Sequence, residues 1–232
     1  MLPYWRVKIS IFEAYTMLQT LSHPTTFLLV VIALFSLRGF NDEEWFNRYT
    51  FRITSVRAGQ WYRMLSSGFL HVGYWHLIVN GISYYFFAPT VYALLGGWKF
   101  FAVFVLSLLF GNLFTLWVHR NDSFYSAVGA SGAVSGVVYS SILLYPGMQL
   151  MIMPIPLPIP APLFGFGFLM YSVYGMYKNN DGIGHAAHFG GAIGGFLFTA
   201  LIRPGTLFSN PLLIAALVVP LLLFFWVLNR RN

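Results

Sequence analysis

The chain has 232 residues, of which 58% are hydrophobic and only 8% charged, a composition whose solvent is mostly lipid and which leaves no room for a soluble domain. Its formal net charge is +7, yet the basic residues are scattered and form no basic aromatic stripe, which argues against nucleic acid and makes anionic lipid headgroups the partner. The absence of cysteine excludes a disulfide framework, a thiolate metal site and a cysteine nucleophile.

Charge-free runs at 14–37, 64–98, 100–119, 123–177, 182–202 and 204–229 place the elements in chain order. A helix needs about 20 apolar residues to cross a bilayer, and its backbone must be satisfied internally, so these runs predict helices rather than open strands. Arg6 and Lys8 precede an apolar run as in a signal peptide, but no small-residue cleavage site follows, so the run is kept as a span. The first helix covers Pro24 to Leu37, with a start before Pro24, near Leu18. Asn41 to Gln60 mixes Asp42, Glu43, Glu44, Arg48, Arg52 and Arg57 with Trp45, Phe46, Tyr49, Phe51 and the following Trp61, which suits a loop in the membrane interface. Further helices are expected over Val72 to Ala88, Phe100 to Val118 and Ala127 to Tyr145. Met153 to Pro162, with proline at every second position, cannot sustain a helix and divides the long run. Pro162 to Tyr177, His185 to Ile202 and Pro211 to Leu228 complete seven spans.

Polar side chains within these spans carry the functional argument, because proton-handling groups are costly in hydrocarbon. Ser131 lies near the start of the fourth span, in Gly129-Ala130-Ser131-Gly132. Gly132 and Gly136, with Ser131 and Ser135, also form small-xxx-small patterns that by themselves only let helices touch. In the sixth span His188 shares a helix face with Gly191 and Gly195, at i+3 and i+7, so close approach to the fourth span would set His188 beside Ser131 as a base beside a nucleophile. Taken singly, His188 could equally be a cross-helix hydrogen bond made for stability. His185, one turn earlier, is a competing candidate nearer the loop and reads as interfacial or supporting. His76 and Asn80, four residues apart, face the same space and, with the Ser131 backbone N–H, make a set of oxyanion donors. His71 would project about 140° away from His76 on a continuous helix and reads as structural, bonding the loop near the helix start. A metal is not expected: no carboxylate lies within a span, and zinc normally takes three or four protein ligands.

Taken in order, Gln60-Trp61-Tyr62-Arg63, then His71, His76 and Asn80, then Gly129-Ala130-Ser131-Gly132, then His188 with Gly191 and Gly195, the chain resembles the rhomboid family of intramembrane serine proteases over about three quarters of its length. The resemblance implies an all-α membrane protein. It implies a rhomboid-like six-helix core over 21–202 with an interfacial loop at 41–66, a short segment at 1–20, and a linker with a seventh helix over 203–232. It implies Ser131 as nucleophile, His188 as base, His76 and Asn80 as oxyanion donors, and His71, Gly129, Gly132, Gly191, Gly195 and Arg63 in support. It further implies transmembrane protein substrates, no cofactor, and residence as a multi-pass protein of a bacterial inner membrane. Two departures stand out. The family's Trp-Arg pair reads Tyr62-Arg63, with tryptophan one position early. The aromatic residue often found four positions after the serine, packed on the catalytic histidine, is Ser135. Because the acids all lie outside the expected spans, the implied chemistry is a Ser131/His188 dyad forming an acyl-enzyme. A catalytically silent helix-binding relative is the alternative reading. A transporter is a weaker one, since the halves show no evident repeat and the spans hold no acid. With the amino terminus cytosolic, as the resemblance implies, Arg6, Lys8, Lys99 and Arg203 would be inside, a minority of the 13 basic residues and against the positive-inside tendency.

Overall fold

A computed structural model describes residues 23–152, 155–178, 181–209 and 211–229. Helix α1, Pro24–Asn41, begins with proline, whose missing N–H costs nothing in a first turn, and is capped by the extended residue His23. The earlier start expected near Leu18 lies outside the described residues; the helix reaching Pro24 does not continue back through His23. Its extra length comes at the other end, beyond Leu37. There Arg38 stacks its guanidinium over the Trp45 ring at 4.0 Å and lies 3.7 Å from Asp42, so its charge leaves the apolar face.

The expected interfacial loop is folded. Asp42 caps α2, Glu43–Tyr49, by accepting the Trp45 N–H at 2.8 Å, with Glu43 and Glu44 at its positive end. Strand β1, Phe51–Arg52, helices α3, Ile53–Arg57, and α4, Arg63–Ser66, and a single 3-10 turn, Ser67–Phe69, follow. Phe51, Ile53, Val56 and Met64 bury a small core of their own against Leu109, Leu116, Tyr125 and Ala127.

Helices α5, Tyr74–Leu95, and α6, Gly97–Val118, turn at Gly96, whose φ of 82° suits glycine. The helix α5 extends past Ala88 and through Pro89, a continuation that membrane helices tolerate because neighbours satisfy the freed carbonyl. Strand β2, Ser126–Ala127, pairs antiparallel with β1, Phe51 opposite Ala127. That pairing takes the residues expected to open the fourth helix, so α7 runs only from Ser131 to Leu144.

Within the proline tract β4, Ile155–Pro160, is a strand that pairs antiparallel with β3, Gln149–Ile152, before the tract. Its prolines at 156, 158 and 160 alternate with residues that keep their N–H. The donor-free edge therefore falls on one side of the strand, where proline is tolerated. Helix α8, Ala161–Lys178, follows, then α9, His185–Ile202, short α10, Thr206–Ser209, and α11, Pro211–Asn229.

The protein is mostly helical, and α1, α5, α6 and α9 are each long and apolar enough to cross a membrane. Helix α7 is shorter, about 21 Å at 1.5 Å per residue, but every residue from Gly132 to Leu143 is buried, so it sits among other helices rather than facing lipid. Small residues permit this. A methyl group on Gly191 would meet the Gly132 carbonyl oxygen, and one on Gly195 would meet that of Gly136. On its other side α9 lies against α6, where a methyl on Gly111 would come within 2.7 Å of the Ala187 oxygen. Backbone-to-backbone approach of this kind needs glycine on both helices.

Candidate active site

Ser131 is the first residue of α7, directly after Ala130, so by helical geometry its own N–H and the two that follow have no intrahelical acceptor. The approach to it is fixed by backbone hydrogen bonds. Gly129 donates its N–H to the Ser67 carbonyl at 3.0 Å, and Ala130 donates to His71 Nε2 at 3.3 Å. Since Nε2 of His71 accepts, the network assigns the proton to Nδ1, which donates to Ser36 Oγ at 2.9 Å; that hydroxyl donates in turn to the Phe69 carbonyl at 2.8 Å. The chain of donors runs from the residue before Ser131 to α1 without a break. Burial, followed by the charge of His76, pushes the His71 imidazole down to about 3, in keeping with a neutral ring that both gives and takes a hydrogen bond.

Gly129 has φ of 135°, a region open to glycine, and it also lacks space for a side chain: a methyl there would lie 2.8 Å from His76 Cε1 and 3.6 Å from Ser131 Oγ. This bare backbone lets the His76 ring and the serine hydroxyl share one small volume. Asn80, one turn along α5, donates one amide hydrogen to the His76 carbonyl at 2.9 Å, which orients its side chain and leaves its second donor free of that bond.

Ser131, His188, His76, Asn80 and Gly129 all line one cavity of about 580 Å³. Its wall continues through Ser83, Val134, Ser135, Phe164 and Phe168, and its rim includes Gly182 to Gly184. Among the described residues, no Asp or Glu lines it. His188 Nδ1 and His76 Nδ1 are buried without a hydrogen-bond partner, so neither ring is oriented by an acid at that atom.

The remaining sequence candidates lie outside the cavity. His185 turns onto α8, where a methyl on Gly175 would collide with its ring, and its Nε2 is 2.9 Å from Asp181 Oδ2. Arg63 donates to the carbonyls of Asn47 at 2.8 Å and Thr50 at 2.7 Å and to Gln60 Oε1 at 2.6 Å, so it binds the interfacial loop together from within. Next to it, Tyr62 reaches the Arg48 carbonyl at 3.1 Å while Trp61 is exposed, consistent with an aromatic at the membrane surface. Gly132, Gly191 and Gly195 act through the α7–α9 seam described above.

The family model of the Rhomboid domain matches residues 58–205, from the end of the interfacial loop through α9. The chain belongs to the rhomboid family. The Bacillus subtilis protein YdcA, provisionally named a rhomboid protease, is 32% identical over 182 residues, which span 76% of this chain and 86% of YdcA. Yeast mitochondrial Rhomboid protein 1 is 28% identical over 138 residues, 58% of this chain and 40% of its own length. The Bacillus subtilis rhomboid protease GluP is 27% identical over 173 residues, covering 73% of this chain and 32% of GluP. Together with its apolar helices, this membership makes the chain an integral membrane protein of a family that includes proteases.

Several residues that shape this rhomboid cavity were not singled out from the sequence. Asn112 on α6 donates to the Met64 carbonyl at 2.6 Å and to Ser67 Oγ at 3.2 Å, securing the turn whose carbonyl holds Gly129. Ser36 closes the His71 chain, and Phe168 of α8 stacks on His188 with ring centroids 5.6 Å apart and planes at 27°. A polar residue in an apolar helix, as Asn112 and Ser36 are, was the one available hint.

Proposed function

We propose that this rhomboid is an intramembrane serine endopeptidase that cuts transmembrane segments of other membrane proteins through a Ser131/His188 dyad. The observation that carries the reading is the single cavity in which a serine at a helix start, two histidines, an asparagine and a bare glycine backbone from three helices and a loop meet. Neutral His188 takes the hydroxyl proton through Nε2, its Nδ1 being buried, and Ser131 Oγ attacks a peptide carbonyl. The oxyanion is met by the Ser131 backbone N–H, the His76 ring N–H and the Asn80 amide. His188 returns the proton to the leaving amine, and water, activated by the same ring, releases the acyl group. A substrate helix must unwind locally first, because its carbonyls are otherwise hydrogen-bonded.

In this reading α1 and α5 to α9 form the six-helix domain over 21–202, with the interfacial loop at 41–66, and α11 is the seventh, appended helix over 203–232. Its proposed site is a bacterial inner (plasma) membrane, a reading that the Bacillus relatives favour and the mitochondrial ones do not. The test is cleavage of a reconstituted transmembrane reporter by the wild-type chain and by Ser131→Ala, with fragments sized by mass spectrometry. Cleavage by the wild type that is lost in a folded Ser131→Ala protein supports the dyad. Persistent cleavage removes Ser131 from the role of nucleophile. Neither cleavage nor phosphonate labelling in the wild type favours a helix-binding, catalytically silent protein.

A further inference from the structure

The His188 ring needs something to hold it in register with Ser131, and the polar groups available do not. Among the described residues its Nδ1 is buried without a partner, and no Asp or Glu lines the cavity. The nearest acid along the chain, Asp181, is engaged by His185 Nε2 at 2.9 Å, and the His185 ring meets His188 only edge-on at 6.2 Å. Orientation therefore falls to packing. On α7 the position one turn after Ser131 is Ser135, which lines the cavity but offers no ring. From α8, Phe168 lies nearly parallel to the imidazole at 5.6 Å and is itself backed by Phe164, stacked at 6.2 Å and 24°. Both rings pack against the buried core that includes Leu169 and Val173 of the same helix.

We propose that Phe168 is a positioning residue for His188, so that the base is aligned by a ring from α8 and not by a residue following the serine on α7. The inference rests on the serine-protease reading above. A flat ring against the imidazole limits rotation about its Cβ–Cγ bond, which would otherwise be free to swing Nε2 away from the hydroxyl; a misplacement of about 1 Å can cost about 100-fold in rate. Apolar bulk alone fills the space without fixing the plane.

The experiment compares wild type, Phe168→Tyr, Phe168→Leu and Phe168→Met as full-length chains in liposomes. It reads kcat and KM on a transmembrane reporter, the rate at which a serine-directed phosphonate labels Ser131, and the thermal midpoint. Phe168→Tyr keeps the ring and is expected to stay within about threefold of wild type. Phe168→Leu and Phe168→Met keep bulk without a ring and are expected to lose about ten- to a hundredfold in kcat and in labelling rate, with KM unchanged and the fold retained. If either folded ring-free variant labels at the wild-type rate, or if the loss lies in KM alone, the role of Phe168 is overturned while the dyad stands. A wild-type chain that neither cleaves nor labels overturns the dyad and this role with it.

Discussion

Gly191→Ala isolates the seam that carries His188 to Ser131. The added methyl would meet the Gly132 carbonyl oxygen, a backbone atom that cannot rotate away as a side chain could. Overpacking in a close-packed interior costs about 1–3 kcal/mol, and backbone opposition puts this site at the upper end, about 3 kcal/mol. The same change gains about 0.5–1 kcal/mol of helix propensity, leaving a net loss of about 2 kcal/mol. Gly167→Ala on α8 is the matched control, since a methyl there has nothing within 4 Å; it should gain the propensity alone. The two alanines should thus differ by about 3 kcal/mol in the unfolding free energy read by denaturant titration in micelles. Because Gly191 is one turn from His188, parting of α7 and α9 should also slow phosphonate labelling of Ser131 by about 100-fold. Equal stability and equal labelling in the two variants would refute the argument that backbone contact sets the site.

Ser36→Ala should destabilise by about 1–3 kcal/mol, since it strands the buried His71 Nδ1–H and takes the donor from the part-buried Phe69 carbonyl. Labelling of Ser131 should fall with it, because the hydrogen bond from Ala130 to His71 loses its far anchor; an unchanged midpoint would show that the chain of donors contributes nothing. His71 also predicts a pH dependence. Its imidazole is held near 3 in the folded protein against an ordinary value of 6.5, so the unfolded chain binds the extra proton between those values. The stability tied to the neutral ring is full above about pH 6.5 and declines as pH falls, by about 2 kcal/mol at pH 5. Thermal midpoints measured from pH 7.5 to 5 should fall more steeply for wild type than for His71→Asn; parallel curves would remove His71 as the source.

What the sequence made legible was periodic or chemical. The sixth helix falls on His185–Ile202 because it is bounded by Asp181 and Arg203 and paced by glycine, and the residues singled out for chemistry at 76, 80, 129, 131 and 188 come together in one cavity. The start of the fourth helix differs because composition cannot show that Ser126 and Ala127 pair with Arg52 and Phe51 in a distant strand. Within the proline tract residues 155–160 form a strand and not a helix, though Ala161 and Pro162 already open α8, and that strand depends on which edge lacks donors, a property of pairing rather than of the tract. Phe168 was invisible for a different reason. In an apolar helix with phenylalanine at 164, 166 and 168, only packing tells which ring faces a histidine and which faces lipid.

The position of the acids explains why packing has this task. A carboxylate beside His188 could orient the ring through Nδ1, but a charge at that depth is expensive and would itself need partners. Asp181 instead sits on the exposed segment before α9. Its carboxyl is held below the usual carboxylate range, first by the hydrogen bond from His185 and then by the Ile183 N–H. That segment also brings Gly182, Ile183 and Gly184 to the cavity wall, Asp181 holding the Ile183 N–H, while no Asp or Glu among the described residues lines the cavity. Inside, Ser131 is located by Gly129 and Ala130 through the Ser67 carbonyl and His71, and His188 by glycine contacts across the same α7–α9 seam. Ser131 and His188, the two groups of the proposed dyad, are thus referred to one pair of helices, so parting α7 from α9 would part them as well.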